Sequence, residues 1–228
     1  MTDQIKVELQ EWMGSDRAIA DAAWTSSADL IKKISRTDDD VKRVIELLAH
    51  EKHSTPFESV VFRFWIRLPV AIDRQHMTHR IASHSGMSGR YRTMPSEYLS
   101  IPEDVRNILS KGAFDKTGAV YSEICELANE AYQDSITSFK DLKDKGLITN
   151  DEYKRLREFY RGMLPQHNMT ERVTTINLRS FCNYYRLRSK PNAQKEIQLI
   201  AQLMMDQVKS KNIAPLAISA LEKNSWNI

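Results

Sequence analysis

The segment from Val60 to Leu68 limits the possible folds most. Val60, Phe62, Phe64, Ile66 and Leu68 alternate with Val61, Arg63, Trp65 and Arg67, and period two puts successive side chains on opposite faces of an extended backbone. This reads as a strand over about 57–68 with one apolar face, which another layer must cover. Segments with helical periodicity supply that layer. Thr37-Asp38-Asp39-Asp40 offers a capping hydroxyl and first-turn acids ahead of Val41, Val44, Ile45, Leu47 and Leu48, which predicts a helix over about 38–51. Val120, Ile124, Leu127, Ala131, Ile136 and Phe139 mark a long amphipathic helix that Gly146 terminates. Thr149-Asn150-Asp151-Glu152 opens another helix, broken near Pro165. Further helices are expected over about 70–82, 178–189 and 193–209, the last with Ile197, Ile200, Ala201, Met204 and Val208 on one side.

Ser83 to Ser96 reads as a Ser/Gly-containing loop, and the β-branched run Arg172-Val173-Thr174-Thr175-Ile176 as a second strand. Strands this far apart among helices give an α+β class, a small antiparallel sheet flanked by helices. With 228 residues and no linker-like stretch, one domain over 1–228 is expected. No apolar run reaches the roughly 20 residues of a membrane span, and Met1-Thr2-Asp3-Gln4 lacks a secretion signal. A soluble, cytoplasmic protein is expected. Cys125 and Cys182 have no Cys-x-x-Cys spacing, so they are expected to be reduced structural thiols, with no metal site.

The net charge of +3 is too small to imply a nucleic-acid polymer as partner. Its distribution is more informative. Residues 63–92 carry six arginines against Asp73 alone, and residues 172–190 carry Arg172, Arg179, Arg186, Arg188 and Lys190 with no acid. Within the first island, Gln75, His79, Arg80, Ser88, Gly89 and Arg90 form a constellation suited to a nucleotide monophosphate. Gly86 and Gly89 let backbone amides approach an anion, Ser88 donates a hydroxyl, and Arg90 grips phosphate in paired hydrogen bonds. His84 and His167 read as ordinary hydrogen-bonded histidines, and Met204-Met205 as packing.

The run Thr78-His79-Arg80-Ile81-Ala82-Ser83-His84-Ser85-Gly86-Met87-Ser88-Gly89-Arg90-Tyr91 resembles the signature of flavin-dependent thymidylate synthases. That signature is Arg-His-Arg, seven residues, Ser, then Arg-Tyr. Further motifs of the family follow its order: His53-Ser54-Thr55-Pro56-Phe57-Glu58, Arg161-Gly162-Met163-Leu164-Pro165, Asn177-Leu178-Arg179-Ser180, Leu187-Arg188 and Ala193-Gln194-Lys195-Glu196-Ile197. The likeness spans roughly residues 50–200. The chain differs at Thr78, where the family has Arg, at Ser85-Gly86, where it has Asn-Glu, at Trp24, where it has Arg, and at Asn192, where it has His.

The resemblance implies that His53, Thr55, His79, Arg80, Ile81, Asn177, Arg179 and Asn183 contact FAD. It also implies that Gln75, Ser88, Gly89, Arg90, Arg161 and Arg188 bind dUMP, with Ser88 and Arg188 activating it. The implied reaction is reductive methylation of dUMP to dTMP, with methylenetetrahydrofolate as one-carbon donor and NADPH as reductant, in a homotetramer with intersubunit sites. Two alternatives stay open at this point: flavin-dependent hydroxymethylation of dUMP or dCMP, and a nucleotide-binding homologue without turnover.

Overall fold

A computed structural model describes residues 3–25, 36–112, 114–224 and 226. In chain order its elements are β1 (Lys6–Met13), α1 (Asp16–Trp24), α2 (Asp38–His50), β2 (Val61–Pro69), α3 (Val70–Met77) and β3 (Ser83–Gly86). They continue with α4 (Glu103–Leu109), α5 (Ala119–Asp144), α6 (Asn150–Tyr160), β4 (Met169–Asn177), α7 (Leu178–Arg188), α8 (Lys195–Ser210) and α9 (Pro215–Lys223). The four strands form one antiparallel sheet in the order β1-β2-β4-β3, which is the expected α+β class.

The alternation in β2 is realised: Phe62, Phe64, Ile66 and Leu68 are fully buried, and Arg63 is exposed. The strand starts at Val61, later than the alternation allowed, because Thr55–Ser59 forms a 3₁₀ turn behind Pro56. The second expected strand is longer than its β-branched run and covers Met169–Asn177. Two sequence readings need correction. Residues 83–86 form a strand and not a loop; Ser-His-Ser-Gly has little strand propensity of its own, and its place beside β4 in the sheet decides the matter. The helix expected to about residue 82 ends at Met77, where the Thr78 hydroxyl donates to the Gln75 carbonyl at 2.7 Å and competes with helix propagation.

The chain forms two compact units, 1–5, 67–74 and 86–172 in the first, 6–66, 75–85 and 173–228 in the second. In the second unit, α7 starts against the entry to β2 through a bond from the Leu178 amide to the carbonyl of Val60, the residue before the strand, 2.8 Å. Phe181 then packs on Phe62 and Phe64, with ring centroids at 5.5 and 5.9 Å. β1 lies at the sheet edge, where unpaired amides and carbonyls invite association. Gln207 of α8 satisfies part of that edge by donating to the Val7 carbonyl at 2.7 Å and accepting from the Leu9 amide at 2.6 Å. Met204 and Met205 are fully buried, as their packing role requires.

In the first unit, α5 and α6 pack together, with Phe139 edge-on to Tyr160 at 4.7 Å. Gly146 ends α5 with a φ of +69°, a left-handed conformation that costs glycine little. Thr149 and Glu152 form a reciprocal capping box at the start of α6. Inside this unit the Asn129 and Asn168 amides bond to one another, and Asn168 also donates to the Pro95 carbonyl. Among the described residues, no helix is long and apolar enough to cross a membrane, and no group of three metal-ligating side chains occurs. Cys125 and Cys182 are free and buried.

Candidate active site

In the second unit a cavity of about 550 Å³ opens beside α7, and its lining includes Ser54, Glu58, Ile81, Arg179, Asn183 and Trp226. Arg179 and Asn183 are four residues apart on α7 and so share a face. Arg179 forms an ion pair with Glu58 at 2.5 Å, both half-exposed. Ile81 joins them from the turn after α3. Of the other residues implied for FAD, His53 and Thr55 flank Ser54 of this lining, and Arg80 adjoins Ile81. Asn177 caps α7 by accepting from the Ser180 amide at 2.8 Å. His79 bonds through Nε2 to the Ser180 hydroxyl at 2.8 Å, and Ser180 also lines the cavity.

The proton positions behind this segment follow from two carbonyl groups, which only accept. Ser180 donates its hydroxyl to the Ile81 carbonyl, so its oxygen accepts from His79 Nε2–H. His84 Nε2–H donates to the His79 carbonyl at 3.3 Å, which leaves Nδ1 as acceptor from the Thr174 hydroxyl at 3.1 Å. Thr174 therefore accepts from His76 Nε2–H at 2.9 Å, and His76 Nδ1 accepts from the Tyr184 hydroxyl at 2.9 Å. Burial raises the Tyr184 phenol well above its ordinary range, which keeps it a donor. The 79–81 backbone is thus held by a directional chain of side-chain hydrogen bonds. The sequence reading gave His84 an ordinary hydrogen-bonding role, and the structure agrees.

Burial depresses the His79 pKa below its ordinary 6.5, and the charge of Arg188 depresses it further. His79 is consequently neutral at neutral pH. A histidine with a lowered folded pKa contributes full stability above 6.5, and that stability is lost as pH falls from there through the folded value. The wild-type melting midpoint should therefore fall on acidification below about pH 6.5. Thermal melts of His79→Gln should show a shallower acid slope; an identical slope would remove His79 as its source.

Arg188 at the end of α7 donates from Nη2 to the Gln75 carbonyl at 3.0 Å and to the Thr78 hydroxyl at 2.8 Å. Thr78 thus gives Arg188 an acceptor where an arginine would set a second cation beside it. Gln75 Oε1 and Arg188 Nε are both buried with no partner.

The other implied nucleotide residues, Ser88, Gly89, Arg90 and Arg161, lie in the first unit. There the Met87 amide ties the segment after β3 to the Glu171 carbonyl at 2.9 Å. The Ser88 carbonyl then accepts from the Tyr91 and Arg92 amides, both at 3.1 Å, closing a tight turn. A Cβ on Gly89 would stand 3.1 Å from Arg161 Cδ, so Arg161 lies against this turn. Arg90 forms an ion pair with Glu158. A Cβ on Gly86 would stand 2.8 Å from Arg172 Nη2 and 3.0 Å from its Cζ, so any side chain there would have to displace that guanidinium. Arg172 is itself held by both oxygens of Asp73, with both side chains about nine-tenths buried.

Sequence reasoning missed Asp73, Arg172, Thr174 and Tyr184. Asp73 was legible as the only acid within an arginine island, a signal that it pairs with one of those arginines. Thr174 and Tyr184 gave no signal, because their roles depend on contacts about a hundred residues away.

The model for the Thymidylate synthase complementing protein family matches residues 8–215. The chain is 32% identical over 219 residues to the flavin-dependent thymidylate synthase of Thermus thermophilus, covering 96% of this chain and 76% of that protein. It is 34% identical over 212 residues to the enzyme of the same name from Kosmotoga olearia, covering 90% and 85%. Among solved structures, it resembles a UMP/dUMP methylase, PolB, from Streptomyces cacaoi bound with 5-Br dUMP, with a TM-score of 0.69, 25% identity and coverage of 96% of this chain and 95% of that one. The family motifs, the antiparallel sheet that carries them and these matches along nearly the whole chain agree: the chain belongs to the flavin-dependent thymidylate synthase family.

Proposed function

We propose that this protein methylates C5 of a uracil mononucleotide, dUMP in the leading reading, using FAD, methylenetetrahydrofolate and NADPH in a cytoplasmic homotetramer. The observation that carries the choice of base is the pair of buried groups without partners, the acceptor Gln75 Oε1 and the donor Arg188 Nε–H. Buried polar groups are costly unless hydrogen-bonded. Uracil presents an N–H at position 3 between two carbonyl groups and so satisfies both. Cytosine offers a lone pair at that nitrogen and so cannot donate to the Gln75 oxygen from position 3.

Arg188 is assigned to a ring carbonyl, where its charge stabilises the negative charge that develops as C5 becomes nucleophilic. Ser88, Arg90 and Arg161 are assigned to the phosphate, through a hydroxyl and two guanidinium groups. Thiolate attack on C6 is not part of the proposal. Burial pushes the Cys182 thiol up to about 12 and also raises that of Cys125, so both stay protonated and unreactive. The cavity beside α7 is of a size found for small-ligand sites. Its Arg179 guanidinium, Asn183 amide and apolar Ile81 suit a flavin nucleotide, whose phosphates and isoalloxazine need those partners. Bound flavin supplies the two-electron reduction that turns a one-carbon unit into a methyl group.

A second substrate, UMP, is supported by the likeness to a UMP/dUMP methylase. Titrating the flavin-loaded protein with dUMP, UMP and dCMP tests the base assignment. The proposal expects dUMP to bind at least about tenfold more tightly than dCMP, the worth of one unmet buried group. Equal affinity for the two would refute the assignment of Gln75 and Arg188 to the base.

A further inference from the structure

We propose that Arg157, in the last turn of α6, is a further anchor for the phosphate of the nucleotide; this rests on the reading of the Ser88 turn as the phosphate's seat. Arg157 is 9% exposed, and its Nε and Nη2 meet no acceptor. A buried cation is ordinarily paired, since an uncompensated one destabilises the fold. The ring of Tyr153 lies 5.5 Å from its guanidinium and offers it a π face.

The position of Arg157 indicates what the missing partner is. The Arg161 amide bonds to the Arg157 carbonyl, so the helical turn continues and the two side chains are neighbours on one face. Arg161 lies against Gly89, and Arg90 pairs with Glu158. Among the described residues, Glu158 is the one carboxylate paired with any of Arg90, Arg157 and Arg161, and it also reaches Arg155 at 3.9 Å. With its single carboxylate shared between Arg90 and Arg155, the cluster keeps a net positive charge, which a phosphate monoester with about −1.5 to −2 charges offsets. Its three oxygens also give Arg157 the acceptors it lacks.

The test compares dUMP with deoxyuridine, which has the same base and sugar but no phosphate, by calorimetry on flavin-loaded wild type, Arg157→Met and Arg157→Lys. Arg157→Met should weaken dUMP binding by about ten- to hundredfold and leave deoxyuridine binding, flavin content and oligomeric state unchanged. Arg157→Lys should fall between, keeping charge but not the fork. If Arg157→Met is recovered unfolded, Arg157→Lys carries the test through the same dUMP-to-deoxyuridine ratio. An unchanged ratio, with both ligands weakened alike or neither, overturns the proposal, as does a variant that alters only the oligomeric state. A wild type that does not distinguish dUMP from deoxyuridine refutes the phosphate reading of the Ser88 turn itself, and Arg157 with it.

Discussion

Replacing Arg188 with Met is expected to lower turnover by roughly 10²–10³-fold, the usual cost of removing a donor aimed at developing charge, while flavin content is unchanged. Met preserves much of the side-chain volume but removes the bonds to the Gln75 carbonyl and the Thr78 hydroxyl. It also removes the one buried Nε–H available to a ligand carbonyl at this place. A donor needed mainly in the transition state reduces kcat more than it raises KM, so steady-state kinetics separate this role from simple substrate binding. The same substitution has a second expected signature. Arg188 helps to hold the His79 pKa down, so its loss should narrow the pH window over which acid destabilises the fold and make that loss smaller. An Arg188→Met enzyme with wild-type kcat would remove this residue from the chemistry.

Asp73→Ala should be the most destabilising single change in the first unit. The Asp73 carboxylate grips Arg172 with both oxygens, and both side chains are about nine-tenths buried. Removing it leaves a buried guanidinium unpaired, which costs about 3–5 kcal/mol. At about 2–4 °C per kcal/mol for a chain of this size, the melting midpoint should fall by roughly 6–20 °C. Desolvation offsets much of what such a pair gains, so the double variant Asp73→Leu with Arg172→Met should recover most of the loss. Differential scanning calorimetry of the two variants decides this. A single variant that melts like wild type, or a double variant that melts no higher than the single, would contradict the description of the pair.

These two residues differ in how far the sequence revealed them. Arg188 was singled out in the sequence through its Leu-Arg motif, and Arg179 and Asn183 through the family resemblance, their spacing placing both on one helix face. The strand β2 was legible because one buried face forces strict alternation. The strand β3 was not, since Ser-His-Ser-Gly takes its conformation from its place in the sheet. The edge strand β1 and the helices α1, α4 and α9 were likewise not read. β1 is mostly exposed, with Leu9 its buried residue, so it carries no strong period. Val120, Ile124 and Leu127 marked α5 correctly by spacing yet are exposed, because periodicity reports a stripe and not what covers it. The departures at Thr78 and Gly86 were visible as differences, and their physical partners Arg188 and Arg172 became visible only in three dimensions.

The central claim is tested most directly by the mass of the nucleotide formed from isotopically labelled dUMP with the protein, FAD, methylenetetrahydrofolate and NADPH. The account predicts a product heavier by one methyl group in place of the C5 hydrogen, formed only when reductant is present. A hydroxymethyl product, or tight dUMP binding with no new nucleotide, would contradict it.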